Sequence, residues 1–312
     1  MRRLLLFLAL VLAAAAPAAA EKRIALTFDD VPRQRGAFFT PAERTDRLIA
    51  GLQRAEVRQA AFFVTPGRLA QPDGAGGEQR IAAYVRAGHV IANHSFIHLA
   101  LSATPAADYI ADLDRAEAWL GGREGRRPWY RYPFLNEGRG DKAKRDALRA
   151  ALKARGLRNG YVTVDGADWN MEALTTKAAR AGERIDMAAL RDLYVETMVD
   201  AAEFNDALAR RALGRSPAHV LLLHETDLAA LFIADLVRGL RRNGWRIVTA
   251  DEAYADPLGN AAPDVPSAQG TLTEALAWEK GFPEPRWYSR ADPKVADPLF
   301  EQRVLHKPAG AH

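Results

Sequence analysis

Short apolar runs alternate with longer amphipathic stretches along most of this chain. The runs are rich in Val, Ile, Leu or Phe and lack strict polar alternation, which is typical of strands covered on both faces. We predict six such strands, at 24–28, 60–64, 89–92, 160–164, 219–223 and 246–249. Because strands that alternate with helices usually pair in parallel, the pattern predicts an α/β fold with a parallel sheet or barrel and helices outside it.

The intervening stretches place apolar residues at helical spacing. They predict helices over 43–56, 106–120, 142–155, 187–213 and 227–242, of which the long fourth helix is expected to be broken. We interpret 183–206 as an insertion between strands. Prolines recur from about residue 257, so we divide the exported chain into one domain at 21–256 and an irregular extension at 257–312, with one short helix near 272–278.

Residues 1–20 have the layout of a secretory signal peptide. Arg2 and Arg3 precede an apolar run at 4–12, and small residues follow up to Ala20. An uncleaved membrane anchor is the alternative interpretation, but the apolar run is short for a membrane span. We therefore expect cleavage near Ala20, export to the periplasm or the medium, and no stable membrane insertion afterwards.

Composition excludes several classes of site and partner. The chain has no cysteine, which excludes disulfides, thiolate metal sites and a cysteine nucleophile. The formal net charge is +4, and Arg2 and Arg3 supply two of these charges. So small a balance argues against nucleic-acid binding. No particular oligomeric state is predicted.

Two adjacent carboxylates, Asp29 and Asp30, follow the first predicted strand. The carboxyl ends of parallel strands are where α/β barrels hold their active sites. The alternative interpretation is a strand exit that uses aspartates because they favour turns. The pair alone does not separate these interpretations.

His94 and His98 follow the third predicted strand. Histidines four residues apart can share one face of a helix or turn, a spacing that suits a metal ion. Two solvated or capping histidines are the alternative. An aspartate plus two histidines would leave metal positions open for water and substrate, which is the catalytic pattern.

Three further segments near strand ends carry polar or aromatic residues. Arg131 lies in a loop, Asp168 and Trp169 follow the fourth predicted strand, and His224 ends the fifth. Each alone is explained as well by a surface arginine, a loop acid or a core histidine. Their common position at one rim of the sheet favours a shared site.

The order of these residues and the sequences around them resemble the polysaccharide deacetylase family, also called the NodB-homology family or carbohydrate esterase family 4. The resemblance covers most of 23–256, including AFFVTPG at 61–67, AGHVIANHSFIHLALS at 87–102 and LRRNGWRIVTADE at 240–252. It implies a distorted parallel (β/α) barrel and a metal-dependent hydrolysis of N-acetyl, and sometimes O-acetyl, groups on glycans.

The resemblance also implies catalytic roles by position. Asp29 resembles the general base and His224 the general acid. Arg131 would hold Asp29 in place, and Asp168 would support His224.

The remaining implied roles concern the metal and the substrate. One divalent ion, most suitably zinc with cobalt, nickel or manganese as alternatives, would be held by Asp30, His94 and His98. The residues implied to contact the substrate are Pro133, Phe134, Trp169 and Leu222. The N–H of Phe134 would bind the oxyanion. Here Leu135 follows Phe134, whereas the family often has Gly at that position, so the groove beside the oxyanion is expected to differ.

Three function hypotheses follow. The first is an N-deacetylase acting on chitin oligosaccharides, peptidoglycan or a related N-acetylglucosamine polymer. An O-acetyl esterase or an amidase for a non-sugar amide would keep the same fold and metal ligands. A non-catalytic glycan-binding relic is the third, and the presence of both Asp29 and His224 argues against it.

Overall fold

The computed structural model describes residues 21–308. The signal peptide that we predict at 1–20 lies outside these described residues. Within 21–308, no helix combines the length and apolar character that a membrane crossing requires.

Parallel strands form the centre of the molecule. The strands of the described region are β1 Lys22–Val31, β2 Ala61–Val64, β3 Val90–Asn93, β4 Arg126–Tyr130, β5 Asn136–Arg139, β6 Arg158–Asn159, β7 Val164–Asp165, β8 Ala218–His224, β9 Trp245–Ile247 and β10 Ala268–Gln269. The main sheet has the order β6-β4-β3-β2-β1-β8-β7, and β9 also pairs with β1. All of these pairings are parallel, whereas β5 and β10 form a separate antiparallel pair.

The sheet is curled, and its two edge strands are joined by a short link. Residues 160–163 connect β6 to β7, so these edges can lie no further apart than about 18 Å. No pairing between β6 and β7 closes the barrel in the described region. The predicted distorted parallel (β/α) barrel is confirmed.

Helices surround the sheet. They are α1 Pro41–Arg54, α2 Gly77–Arg86, α3 Ala106–Leu120, α4 Lys142–Ala154, α5 Asp168–Arg180, α6 Met187–Leu213, α7 Asp227–Arg242, α8 Ala250–Tyr254, α9 Leu272–Glu279 and α10 Pro293–Val304. The five predicted helices correspond to α1, α3, α4, α6 and α7.

The central strands are buried on both faces, as their apolar runs predicted. In β1, Ile24, Leu26 and Phe28 pack into one apolar cluster together with residues of α1, α6 and α7. Ala25 points to the opposite face and belongs to a second cluster with Phe63 of β2.

Three expectations differ from the structure. The strand predicted at 160–164 is instead the link between β6 and β7, and only Val164 lies in a strand. Helix α6 is continuous over 27 residues rather than broken, because it packs along its length on α7, α9 and α10. The region 183–206 is therefore a loop and most of this helix, between β7 and β8. Strand β4 was not predicted, since its Arg-Arg-Pro start lacks an apolar run and its pairing comes from β3 and β6.

The C-terminal extension is more regular than expected. The short helix predicted near 272–278 is α9, and Thr273 anchors it by donating from its hydroxyl to the Thr163 carbonyl at 3.2 Å. A further helix, α10, starts with Asp292 as its N-cap and Pro293 in its first turn. It packs against α5 and α6, and this tertiary contact stabilises a helix that the prolines of the segment had argued against.

Candidate active site

Asp29 and Asp30 both reach the same cleft because β1 bulges at its end. Between Phe28 and Val31 the register with β2 shifts, so two residues of β1 face one residue of β2. Asp30 has a φ of 70°, in the left-handed region. Adjacent strand residues normally point to opposite faces, and the bulge removes that constraint.

His94 and His98 lie in a tight loop after β3, not on a helix. The Asp112 carboxylate of α3 accepts the N–H of Phe96 at 2.7 Å and the hydroxyl of Ser95. The Ser95 hydroxyl oxygen in turn accepts the N–H of His98 at 3.1 Å. A carboxylate from another element therefore holds the two histidines at their predicted spacing.

Asp30, His94 and His98 bring one ligand atom each to within 4.8 Å of the others. Asp30 Oδ1 lies 3.2 Å from His98 Nε2 and 3.8 Å from His94 Nε2. His94 Nδ1 lies 2.9 Å from the Arg131 carbonyl oxygen. An N–H at this Nδ1 leaves the lone pair of Nε2 directed at Asp30.

The chemistry of these donors fits a divalent metal ion. Asp30 Oδ1 is buried and accepts no hydrogen bond from the described residues, so it has a free lone pair. Burial lowers the pKa of His94 to about 3 and that of His98 to about 4, so both imidazoles are neutral at pH 7. A carboxylate oxygen and two neutral imidazole nitrogens are typical ligands of catalytic zinc.

Asp29 is distinguished from Asp30 by Arg131 rather than by the histidines. His94 Nε2 lies 3.6 Å from Asp29 Oδ2, about as far as it lies from Asp30. Arg131 Nη1, however, donates to Asp29 Oδ1 at 2.8 Å, while its Nη2 donates to the Tyr254 hydroxyl oxygen at 2.8 Å. Burial raises the pKa of Asp29 above its ordinary value, and Arg131 opposes that rise. Asp29 is therefore a buried, oriented carboxylate.

His224, at the end of β8, is held by Asp168 at the start of α5. His224 Nδ1 lies 2.7 Å from Asp168 Oδ1, and the backbone N–H of His224 donates to Asp168 Oδ2 at 2.7 Å. Burial lowers the pKa of His224, but the fully buried Asp168 carboxylate outweighs it, so the pKa is raised above its ordinary value. Asp168 thus fixes the orientation of His224 and favours its protonated form, which suits a histidine that transfers a proton.

A cavity of about 570 Å³ joins these groups, here called the catalytic cavity. Its lining comprises Asp29, Asp30, Arg33, His94, His98, Phe134, Leu135, Asp165, Trp169, Ala173, Leu222, His224, Gln269 and Gly270. Arg131 and Asp168 do not line it but hold two residues that do.

The four residues predicted to contact substrate are placed differently from one another. Phe134 and Trp169 are 57% and 41% exposed at the cavity, and Leu222 is a buried part of its wall. Pro133 does not line the cavity. Instead it begins the turn that presents Phe134, whose ring meets the His98 ring edge-on with centroids 4.5 Å apart.

Two arginines that were not predicted as site residues, Arg33 and Arg68, contact Asp30. Arg33 Nη1 donates to Asp30 Oδ2 at 2.9 Å, and Arg68 Nη2 lies 2.9 Å from Asp30 Oδ1 in an ion pair without hydrogen-bond geometry. Although burial raises the pKa of Asp30, these two guanidinium groups hold it well below its usual range. Arg33 lies three residues after Asp30, so the sequence alone could have suggested that the two interact. Arg68 lies in the segment after β2, and no local pattern connects it with Asp30.

The C-terminal extension also contributes to the catalytic cavity. Gln269 and Gly270 line it because β10 pairs with β5, and the Gly270 N–H donates to the Leu135 carbonyl at 3.2 Å. No local sequence pattern marks these two residues as part of a site.

Comparisons with known proteins concern both the sequence and the fold. The family model described as polysaccharide deacetylase matches residues 16–159. No curated protein sequence matches this chain. A chitin deacetylase from the fungal pathogen Colletotrichum lindemuthianum is similar in fold, with a TM-score of 0.50 and 22% identity over 77% of this chain and 92% of that one.

Two bacterial structures have slightly lower scores. A family 4 carbohydrate esterase from Streptomyces lividans in complex with acetate has a TM-score of 0.48 and 22% identity, over 79% of this chain and 100% of that one. A peptidoglycan deacetylase from Bacillus subtilis has a TM-score of 0.47 and 18% identity, over 75% and 90%.

The matched segment contains Asp29, Asp30, His94, His98 and Arg131, whereas Asp168, Trp169 and His224 lie beyond it. Asp29, Asp30, His94 and His98 line the catalytic cavity together with His224, and Arg131 holds Asp29 from outside that cavity. Residues 16–159 thus match the polysaccharide deacetylase family in sequence, and 77% of the chain is similar in fold to the chitin deacetylase structure.

Proposed function

We propose that this chain is an exported, metal-dependent enzyme that removes N-acetyl groups from a glycan built on N-acetylglucosamine. The observation that carries the proposal is the convergence of three kinds of group in one cavity. These are a buried carboxylate held by arginine, a histidine held by aspartate, and the cluster of Asp30, His94 and His98.

An acetamide is a poor electrophile with a poor leaving group, so its hydrolysis needs help at the carbonyl, the water and the nitrogen. A divalent ion, which we propose to be zinc, would be held by Asp30, His94 and His98 and would polarise the carbonyl and acidify water. The residues around it supply the proton transfers.

Asp29 is the proposed general base. Arg131 orients its carboxylate, and the raised pKa makes the carboxylate a stronger proton acceptor than an ordinary aspartate. Its position in the β1 bulge, next to Asp30, supports this role because the proposed metal ligands lie beside it.

His224 is the proposed general acid that protonates the departing amine. The Asp168 carboxylate raises the pKa of His224 and so keeps more of the imidazolium form near neutral pH. We further propose that the Phe134 N–H binds the oxyanion, and that Trp169 and Leu222 form walls of the acetyl pocket.

The test is acetate release from three substrates: N-acetylated chitin oligomers, peptidoglycan and O-acetylated xylan. We expect release from at least one N-acetylated glycan, loss of this release after treatment with a chelator, and recovery with zinc. Release from xylan alone would replace the proposal by an O-acetyl esterase. No release from any of them by metal-loaded protein would contradict a glycan deacetylase.

Export is a separate part of the proposal, since it depends on 1–20. The exported protein should begin near Glu21 when its N-terminus is sequenced. A mature protein that retains Met1 and stays with the membrane would contradict export.

A further inference from the structure

A second cavity, of about 660 Å³, opens directly beside the catalytic cavity and is here called the basic groove. Its cationic lining residues are Arg33, Arg35, Arg44, Arg68, Lys177 and Arg180. Asp30, Arg33, His98 and Ala173 line both cavities, so the two are continuous. The volume lies within the range of about 300–1,000 Å³ typical of ligand sites.

The two carboxylates that line the basic groove in the described region are already engaged. Asp30 pairs with Arg33 and Arg68. Glu172 is buried and accepts backbone N–H groups at the start of α7, from Asp227 at 3.3 Å and Leu228 at 3.1 Å. Neither carboxylate neutralises the outer cations of the groove.

Arg35, Lys177 and Arg180 are exposed, and within 21–308 none of them forms an ion pair with a carboxylate. Lys177 and Arg180 stand three residues apart in the last turn of α5, so their charges share one face. Like charges at this spacing destabilise a helix slightly, and a bound anion would relieve the repulsion. Because the whole chain is only weakly basic, this concentration of charge is local.

We propose that the basic groove binds a carboxylate or phosphate on a sugar next to the acetylated one, so that the substrate is an acidic glycan. This proposal rests on the proposed deacetylase function, because it places the acetamide at Asp30 and the neighbouring sugar along the groove. Guanidinium groups match the geometry of both anions and bind them in a forked manner.

Binding tests the basic groove without any turnover. The probes are three unacetylated oligosaccharides of equal length: a neutral glucan, a uronic acid oligomer and a phosphorylated glucan, each titrated calorimetrically into the full chain. We expect one or both anionic probes to bind more tightly than the neutral one, with an affinity that falls as salt is added. The tighter of the two identifies the anion.

The double variant Lys177→Gln/Arg180→Gln should weaken binding of the anionic probe by about two- to twentyfold, as expected for two exposed charge pairs. Arg33 and Arg68 are avoided because they contact Asp30. Lys153→Gln is the matched control: Lys153 is exposed in the last turn of α4, so it shares the helix-end environment but does not line the groove. It should leave binding unchanged.

Kinetics then separate the two proposals. On an acetylated acidic glycan, the double variant should raise KM by a similar factor with kcat unchanged, because the groove binds ground state and transition state alike. Acetate release with no preference for anionic glycans, and no salt-dependent probe binding, would overturn the groove proposal and leave the deacetylase. Charge-dependent probe binding without acetate release from any glycan would leave an anion-binding groove but overturn the deacetylase, and with it the inference that the anion belongs to a deacetylated substrate.

Discussion

Asp29 of β1 and His224 of β8 are directly paired in the parallel ladder between these two strands. The proposed base and the proposed acid are thus fixed to one hydrogen-bonded pair of central strands. Each is oriented by a residue from another element, Arg131 after β4 and Asp168 at the start of α5. Changes at these supporting residues should therefore alter proton transfer without removing the reacting groups.

Substitutions of the adjacent residues Asp29 and Asp30 should have different effects on metal binding and activity. Asp30→Ala removes one of three ligands and should lower metal occupancy together with activity. Asp29→Asn keeps the shape of the side chain and should retain the metal, while activity falls by roughly a hundred- to ten-thousand-fold, the usual contribution of a general base. Metal analysis of both purified variants, beside acetate release, checks this. Metal loss in Asp29→Asn with retention in Asp30→Ala would reverse the two roles.

Asp168→Asn should shift the pH dependence of turnover. The carboxylate raises the pKa of His224, so its loss lowers that pKa and deprotonates the general acid at lower pH. The alkaline limb of the pH–rate profile should therefore move to lower pH. Turnover should fall by less than the roughly hundred- to ten-thousand-fold contribution of the general acid itself.

Asp206→Asn is the matched control for that experiment. Asp206 also pairs with a histidine of β8, His219, at 3.2 Å, but neither residue lines the catalytic cavity. The pH–rate profile of Asp206→Asn should have its acidic and alkaline limbs at the same pH as the wild type. An Asp168→Asn profile that is equally unaltered would leave Asp168 with a structural role alone.

Arg131→Met should affect both stability and the acidic limb of the profile. It leaves the buried Asp29 carboxylate without its cation, which typically costs about 3–5 kcal/mol of unfolding free energy. Because Arg131 opposes the rise in the Asp29 pKa, its loss raises that pKa further, and the acidic limb should move to higher pH. Urea unfolding and pH–rate measurements test the two effects.

Tyr254→Phe separates packing from the ion pair. It removes the hydroxyl that accepts from Arg131 Nη2 but keeps the Arg131–Asp29 contact. We expect a smaller loss, about 1–3 kcal/mol, and an acidic limb close to the wild-type position. Equal shifts in the two variants would show that the limb does not report on Asp29.

Zinc should stabilise the folded protein. At a free concentration of one hundred times Kd, the expected gain is about 2.7 kcal/mol, and a chelator should abolish it. Because the pKa of His98 is about 4, protons compete little with metal at pH 7, and the gain should persist to about pH 5. Differential scanning calorimetry measures the shift.

His98→Asn should lose most of the zinc-dependent gain. His89→Asn is the control, since burial likewise lowers the pKa of His89 to about 4 but His89 lies outside the ligand cluster. The His89→Asn variant should be less stable than the wild type both with and without zinc, but zinc should still raise its stability by the same amount. A zinc effect that survives in His98→Asn would place the metal elsewhere.

Local patterns were enough to predict the central strands, the main helices and the candidate site residues. An apolar run reports burial on both faces, and a polar residue at the end of such a run reports the rim of the sheet. Asp29 and Asp30 lie near the end of β1, His94 and His98 follow β3, and His224 ends β8, so each could be identified as a candidate by its position near a strand end. The motif order then indicated the family.

Tertiary structure decided what depends on contacts between distant segments. The bulge that lets both Asp29 and Asp30 face one cleft depends on the register of β1 against β2. Arg68 meets Asp30, and Gln269 meets the catalytic cavity, only after the chain has folded. Residues far apart in sequence leave no periodic pattern of their own, since their proximity is set by strand register and helix packing.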